Sequence, residues 1–353
     1  MSEFDSQYEE KGGKSMTAIT VRSIRPEEWD LFLQAGSSDA KGRQETARYV
    51  EQMIAVGSMR PEWCFVAEKE NHVQGRVALW TLPKLEKPLD FVLLDVPWEQ
   101  EDYLCYGKAL LQTALEVFQS MGVEKAGHVL DTPPMTPQWQ TFPEQRQALL
   151  TQMGFLLERE TFRFEWRQGD RVDPIRSERA DFDLTEPEAT DSGLIFRSLA
   201  EVGNQVFIDA VKRVSAGTLD SRILQDRDRL GEAGMAMELF QDLQQLVYDP
   251  EWWQLAYAGE GQCIGLVMPA KSPAFSTIGY IGVMPEYRGR GYIHKLLSRG
   301  TEILRKAGAT VIRADTDVNN LPMANAFRKA GYVQFARRAE YSCKISKPLQ
   351  IGE

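Results

Sequence analysis

Residues 277–332, TIGYIGVMPEYRGRGYIHKLLSRGTEILRKAGATVIRADTDVNNLPMANAFRKAGY, decide how the chain is read. The apolar run Ile278–Met284 has strand character and stops at Pro285. Arg288-Gly289-Arg290-Gly291 then feeds a helix whose apolar face is Ile293, Leu296, Leu297, Ile303 and Leu304. A helix start presents unpaired backbone N–H groups at the positive end of the helix dipole. Glycines let that backbone come close to a ligand, so the turn is built to hold an anion, and two arginines add charge.

The spacing fits neither the G-x-x-x-x-G-K-[ST] phosphate loop nor the G-x-G-x-x-G dinucleotide turn. Arg288, Gly289, Arg290, Gly291 and Tyr292 do resemble motif A, [QR]-x-x-G-x-[GA], of the GNAT superfamily of acyl-CoA-dependent N-acyltransferases. Ile293 departs from the family's Gly or Ala and leaves less room beside the ligand. The resemblance implies that backbone amides from Arg288 to Ile293 bind the pyrophosphate of coenzyme A. It also implies a second strand, Thr310–Ala314, and a short helix ending in A-G-[FY], supplied by Asn320-Leu321-Pro322-Met323 and Phe327–Tyr332.

Carried over position by position, the resemblance gives Asn320 a contact with the pantetheine arm. It gives Ile281, Gly282 and Val283 the N–H that polarises the thioester. Phe327 stands where the family carries a tyrosine that protonates the departing thiolate, which leaves that proton to water, Tyr332 or Tyr341. In place of the glutamate base often found on the first strand, this sequence offers Thr277 and Tyr280. Asp315, Asp317 and Glu286 are the nearby carboxylates. Asp315 shares a strand face with Val311 and Arg313, either as a base or as an ion-pair partner of Arg313 or Arg337.

At 353 residues, 43% hydrophobic and 26% charged, the chain has the composition of a globular protein about two domains long. A net charge of −10 argues against nucleic acid and favours cationic ligands. Cys64, Cys105, Cys263 and Cys343 lie far apart, and His72, His128 and His294 have no partner at ligand spacing, so free thiols and no metal are expected. No apolar run approaches the length of a membrane span and residues 1–16 read as a polar leader, so a cytoplasmic protein is expected, with no membrane partner.

The first half repeats the order of the second. Strand patterns over Ile19–Ile24, Trp63–Glu68, Val73–Leu79, Phe91–Val96 and His128–Leu130 interleave with helical ones over Pro26–Ala35, Gln44–Val56, Gly107–Met121 and Glu144–Met153. Gly308 and Gly122 stand 186 apart, as do Leu296 and Leu110. Farther on, QMGFLLERETFRFEW at 152–166 mirrors KAGYVQFARRAEYSC at 329–343 with 177 between their glycines, so the first copy carries a nine-residue insertion rich in proline.

The expected fold is therefore α/β (α+β): two tandem GNAT-like domains, each a mixed, mostly antiparallel sheet flanked by helices. The boundaries read 17–167 and 182–345, joined by a charged linker at 168–181. At the 186 offset Arg288 corresponds to Asp102, Gly289 to Tyr103 and Gly291 to Cys105, beside Glu99 and Glu101. Carboxylates repel a pyrophosphate, so only the second copy should bind coenzyme A in the ordinary way. In that copy Phe182–Thr185 reads as the first strand and Glu188–Tyr248 as helix, with a break at Gly217–Asp220 where Thr218 or Asp220 caps the next helix.

The resemblance implies an acetyl-CoA-dependent N-acetyltransferase acting on a primary amine of a small cationic molecule or peptide, as monomer or homodimer. The alternative is a non-catalytic acyl-CoA-binding sensor or scaffold, which the missing tyrosine at Phe327 favours.

Overall fold

The computed structural model describes residues 18–35, 40–169, 193–259, 261–272 and 275–345. The leader, the expected linker from 170 onward and the strand expected at Phe182–Thr185 lie outside them. The chain divides into two compact units: Met1–Glu160 together with Arg337–Glu353, and Thr161–Ala336.

The first unit begins with β1 (Thr20–Ser23), α1 (Trp29–Gln34) and α2 (Ala40–Ala55). A hairpin of β2 (Cys64–Lys69) and β3 (His72–Trp80) follows. Its turn residues Glu70 and Asn71 sit at φ +53° and +60°, the left-handed pair that a two-residue hairpin requires. Then come β4 (Asp90–Asp95), α3 (Tyr103–Ser120), β5 (Lys125–Thr132), α4 (Pro143–Gln152) and β6 (Leu156–Arg167). Tyr106, Leu110, Leu111, Ala114 and Phe118 recur at helical spacing, and α3 buries that stripe on the sheet with Phe65, Val77 and Phe91. Ile24, Phe32, Val50 and Met53 cover the opposite face.

The second unit contains β7 (Ile195–Ser198), α5 (Leu199–Val202), α6 (Asn204–Val214), α7 (Ser221–Gln244), β8 (Gln254–Tyr257), β9 (Cys263–Lys271) and β10 (Ser276–Val283). After these come α8 (Tyr292–Lys306), β11 (Val311–Asp317), α9 (Leu321–Lys329) and β12 (Val333–Lys344). The helix expected over Glu188–Tyr248 is interrupted at Ile195–Ser198, which is a strand paired with β8. Ser198 instead starts α5 with a capping box to Glu201. The predicted cap of α7 is Asp220, whose carboxylate accepts from Arg222 and Ile223 N–H. Phe207, Val211, Phe240 and Trp253 fill the α6–α7 face of the sheet, and Leu297, Leu304, Phe164 and Phe327 fill the α8–α9 face.

The strands run in the order β1-β2-β3-β4-β5-β12 in the first unit and β6-β11-β10-β9-β8-β7 in the second. This differs from the halves read in the sequence. Residues 161–167 of β6 pair with β11, and residues 337–344 of β12 pair with β5. The strand expected to finish each half thus finishes the sheet of the other, and the divisions between units fall inside β6 and β12.

The repeat persists in a detail of two strands. In β4 the register against β3 slips between Ala78↔Val92 and Arg76↔Asp95, with Leu93 at φ +56°. In β10 it slips at Gly279, between Ile278↔Pro269 and Tyr280↔Met268. Leu93 and Gly279 are 186 apart, the offset of the helices that follow. Among the described residues no helix is long and apolar enough to cross a membrane.

Candidate functional site

The site of the second unit is opened by a divergence of strands. β10 pairs with β11 in parallel at only Ser276↔Ile312 and Thr277↔Arg313. Past that point β10 keeps its antiparallel partner, with Ile281↔Val267, Gly282↔Leu266 and Val283↔Gly265. Met284 N–H donates to Ile264 C=O at 2.8 Å. Strand alternation then turns the N–H and C=O of Ile281 and Val283 to the other side, toward the gap that β11 leaves. Gly282 does a different job: a Cβ there would stand 2.9 Å from Val214 Cβ, so the glycine lets α6 lie against the strand.

The turn after β10 leads into the N-terminus of α8. Gly289 and Gly291 have φ +74° and +78°, a region glycine enters without penalty. Gly291 is the N-cap of α8 and no side chain caps the helix, so its leading amides and its dipole point outward together. A Cβ at either glycine would meet nothing within 4 Å, so the cradle is open. Arg290 lies over the Tyr287 ring at 5.5 Å, and Tyr292 packs edge-on to Tyr287. Ile293 joins the apolar cluster around Leu296.

The Arg288 side chain is engaged elsewhere. Its guanidinium donates to Val283 C=O (3.2 Å), Gly217 C=O (3.2 Å) and Val214 C=O (2.8 Å). It thereby joins the end of β10 to the carbonyl end of α6, where the helix dipole favours a cation. What Arg288 brings to the turn is its backbone.

Tyr280 points to the α6–α7 side. Its hydroxyl lies 2.9 Å from Ser215 Oγ, which donates its own proton to Val211 C=O at 2.7 Å, so the phenol is the donor. Burial pushes the phenol up to about 12, and Tyr280 keeps its proton at neutral pH. Asp317, on the same face of the sheet at the end of β11, is almost fully buried. Its carboxylate accepts from Ser221 N–H at 2.9 Å, from the Ser221 hydroxyl, and from Asn319 N–H at 2.8 Å. Residues 214–221 therefore form a strap that is fastened to β10 through Tyr280 and Arg288 and to β11 through Asp317.

Asp315 is exposed and ion-paired with Arg163 at 3.4 Å rather than with Arg313 or Arg337. Arg313 pairs with Glu165 at 2.9 Å. Glu286 is exposed at the mouth and bonded to Arg213 at 2.6 Å. The Asn320 carbonyl oxygen caps α9 by accepting Met323 N–H at 3.2 Å, which leaves its NH2 group to offer a ligand. Phe327 is 2% exposed, stacked on Phe164 with ring centroids 5.2 Å apart. The Tyr332 hydroxyl is paired with Thr301 at 2.7 Å, and burial pushes that phenol well above its ordinary value. Tyr341 belongs to the first unit, opposite His128 on β5 and within the cluster that holds Leu130.

A groove of about 740 Å³ begins one turn into α8. It runs from His294 past Ser298 and Thr301 to Arg305, with Lys329 and Trp166 on its flanks. Of the two tryptophans at the head of β8, Trp253 is core and donates to Pro269 C=O at 3.0 Å, while Lys271 lies 5.3 Å over the half-buried Trp252.

The strap residues Ser215 and Ser221 were not singled out by the sequence. Gly217 and Asp220 marked a break between helices, but nothing in their spacing tells which strands the break is fastened to. In the first unit the corresponding helix, α3, has Asp102 at its N-cap, ion-paired with Lys69 at 3.2 Å, and starts three residues earlier in the 186 register than α8.

The acetyltransferase (GNAT) family model matches residues 223–332, from the first turn of α7 to the end of α9 and so wholly within the second unit. No curated protein matches the chain by sequence. Among solved structures, a GCN5-related N-acetyltransferase from Sphaerobacter thermophilus is 15% identical, with 94% of this chain and 96% of that one covered and a TM-score of 0.52. A glucosamine N-acetyltransferase region of a fungal multi-domain GH3 beta-N-acetylglucosaminidase is also 15% identical, covering 92% of this chain and 38% of that one at a TM-score of 0.51. At that identity both are likenesses of fold. The matched family segment contains the strand divergence, the glycine turn and the helix start just described, and it is over these residues that the chain is similar to the acetyltransferase (GNAT) family.

Proposed function

We propose that the second unit transfers the acyl group of acetyl-coenzyme A to a primary amine of a small cationic molecule or peptide, by direct attack of the amine on the thioester. The observation that carries this reading is the parting of β10 from β11 next to the open turn at Gly291. A pyrophosphate suits the leading amides of α8, with Arg290 as the cation beside them. The groove from His294 to Arg305 offers room for the nucleotide beyond it. The pantetheine arm fits the gap, toward which Ile281 and Val283 turn backbone groups not used in pairing with β9 and Asn320 presents its NH2.

In that pose an edge N–H of β10 polarises the thioester carbonyl and stabilises the oxyanion as the amine adds. The C–N bond forms, the C–S bond breaks, and the thiolate takes its proton from water, since Phe327 has none to give. The amine enters from the side of the 214–221 strap. Asp315 is the carboxylate on that face with access to solvent, and it or water takes the ammonium proton. The net charge of −10 draws cationic amines rather than anionic ones.

The test is release of free thiol from acetyl-coenzyme A over a panel of primary amines, polyamines and peptide N-termini. Burial of Phe327 and the Tyr332–Thr301 pair favour a second reading, an acyl-CoA-binding unit without turnover. That reading stands if calorimetry detects coenzyme A binding while no amine raises thiol release above hydrolysis.

A further inference from the structure

In the first unit β4 and β5 are arranged as β10 and β11 are in the second: parallel, joined at one end, then apart. They meet at Asp90↔Gly127, where Leu89 C=O accepts Gly127 N–H at 3.0 Å. Strands that separate inside a fold expose backbone N–H and C=O groups along the gap, and buried groups of that kind must find partners. Here the partners are side chains that follow β5.

Leu93 N–H, at the bulge of β4, donates to Gln138 Oε1 at 3.2 Å. On β5, Asp131 N–H donates to Gln140 Oε1 at 2.8 Å, and Gln140 Nε2 donates to Val129 C=O at 2.6 Å. Gln140 Nε2 also lies 3.4 Å from Gln138 Oε1, so two carboxamides in sequence bridge one strand to the other. Arg146 closes the set by donating to Leu94 C=O at 2.6 Å. Gln140 and Arg146 are 4% and 1% exposed. From the far side, the buried Thr46 hydroxyl of α2 holds the segment through Pro137 C=O at 2.9 Å.

The source of these side chains is the insertion seen in the sequence. Ten residues, 133–142, join β5 to α4, whereas three, 318–320, join β11 to α9. The halves differ by a segment that places amide groups between separated strands, facing the edge groups of both. That is the hydrogen-bond pattern an extended chain bearing amides would make in the same gap.

We propose that the gap between β4 and β5 is a second ligand cleft, suited to a neutral amide-bearing chain, and that Gln138 and Gln140 of the same polypeptide are its resident occupant. Phosphates are outside its ligand class, because α3 starts at Asp102 behind Glu99 and Glu101 and such carboxylates repel an anion. Pantetheine, the probe, is chosen because the proposed function of the second unit rests on the same arm.

The experiment titrates pantetheine calorimetrically into the full-length protein and into a Gln138→Ala, Gln140→Ala variant, both held in excess coenzyme A. The variant should bind one further equivalent, roughly tenfold or more tighter than any binding by the parent, the scale of one lost competing hydrogen bond. Identical titrations in the two proteins, including no binding in either, overturn the proposal. If the double variant does not fold, Gln138→Ala alone is followed by hydrogen exchange. Peptides containing Leu93 should then lose protection and regain it on adding pantetheine; no recovery overturns the proposal. Coenzyme A binding by the parent, measured first, reports separately on the second unit.

Discussion

Asp317, the last residue of β11, accepts both the backbone N–H and the hydroxyl of Ser221, the first residue of α7. A buried carboxylate at the tip of one diverging strand thus holds the far end of the strap, whose near end is tied to Tyr280 on the other strand and to Arg288 in the turn that follows it. Removing it should loosen that wall of the gap. Asp317→Ala is expected to cost about 1–3 kcal/mol of stability, the usual penalty for stranding buried donors. In steady-state kinetics it should raise KM for the amine more than KM for acetyl-coenzyme A.

The two arginines of the turn should separate by assay. Arg288→Ala removes three bonds to carbonyls and should lower the melting temperature, with a cost of about 1–2 kcal/mol given its partial exposure. Arg290→Ala leaves the fold intact and should weaken coenzyme A binding, with the difference shrinking as salt is added. Equal effects of both on melting and on affinity would contradict this division.

Gly291→Val forces a branched side chain to φ +78°, which costs about 1–2 kcal/mol and moves the leading amides of α8. Coenzyme A binding by calorimetry should be lost. Gly282→Ala is the control from the opposite side of the strand: its new methyl meets Val214, so the damage should appear first in stability.

Phe327→Tyr adds a hydroxyl between Phe164 and Tyr332 in a site that is 2% exposed. Stability should fall by about 1–3 kcal/mol, acetyl-coenzyme A affinity should be nearly unchanged, and turnover should not slow. Tyr332→Phe loses one hydrogen bond to Thr301, about 1 kcal/mol. If Tyr332→Phe or Tyr341→Phe abolished turnover while sparing affinity, thiolate protonation would belong to that tyrosine rather than to water.

The first unit should be acid-sensitive through His128. Burial pushes this imidazole from 6.5 to about 3, with its Nδ1 donating to Phe91 C=O and its ring stacked on Phe91. The unfolded chain takes up a proton below pH 6.5 that the folded unit refuses until about pH 3, so stability present at neutrality is lost as pH falls. At pH 5 the loss is about 2 kcal/mol. Denaturant unfolding between pH 7 and 5 should show this slope, and His128→Phe should flatten it.

Much of this architecture was legible because it is local. The Ile278–Met284 run, the positive-φ glycines and the apolar stripe of α8 each follow from residues within one or two turns. The repeat could be read from Gly122, Gly308, Leu110 and Leu296, and it extends to the bulges at Leu93 and Gly279. What the sequence did not reveal depends on distant partners. Nothing around Arg288 announces that its guanidinium is held by Val214 and Gly217, and nothing in the proline-rich insertion points Gln138 and Gln140 at β4 and β5. β7 was hidden in a stretch of helical composition because Ile195 and Leu199 fit a helical period as readily as a strand followed by a cap.

The placement of β12 has a consequence for synthesis on the ribosome. The strand that pairs with β5 is residues 337–344, so the first unit waits for nearly the whole polypeptide before its β5 edge is covered. At about 5–20 residues per second that interval lasts on the order of ten seconds or more, during which an unpaired strand edge is presented to other nascent chains. A stop codon just after Tyr332 would leave the matched family segment complete, and yet the sheet that loses its last strand would be the one made first.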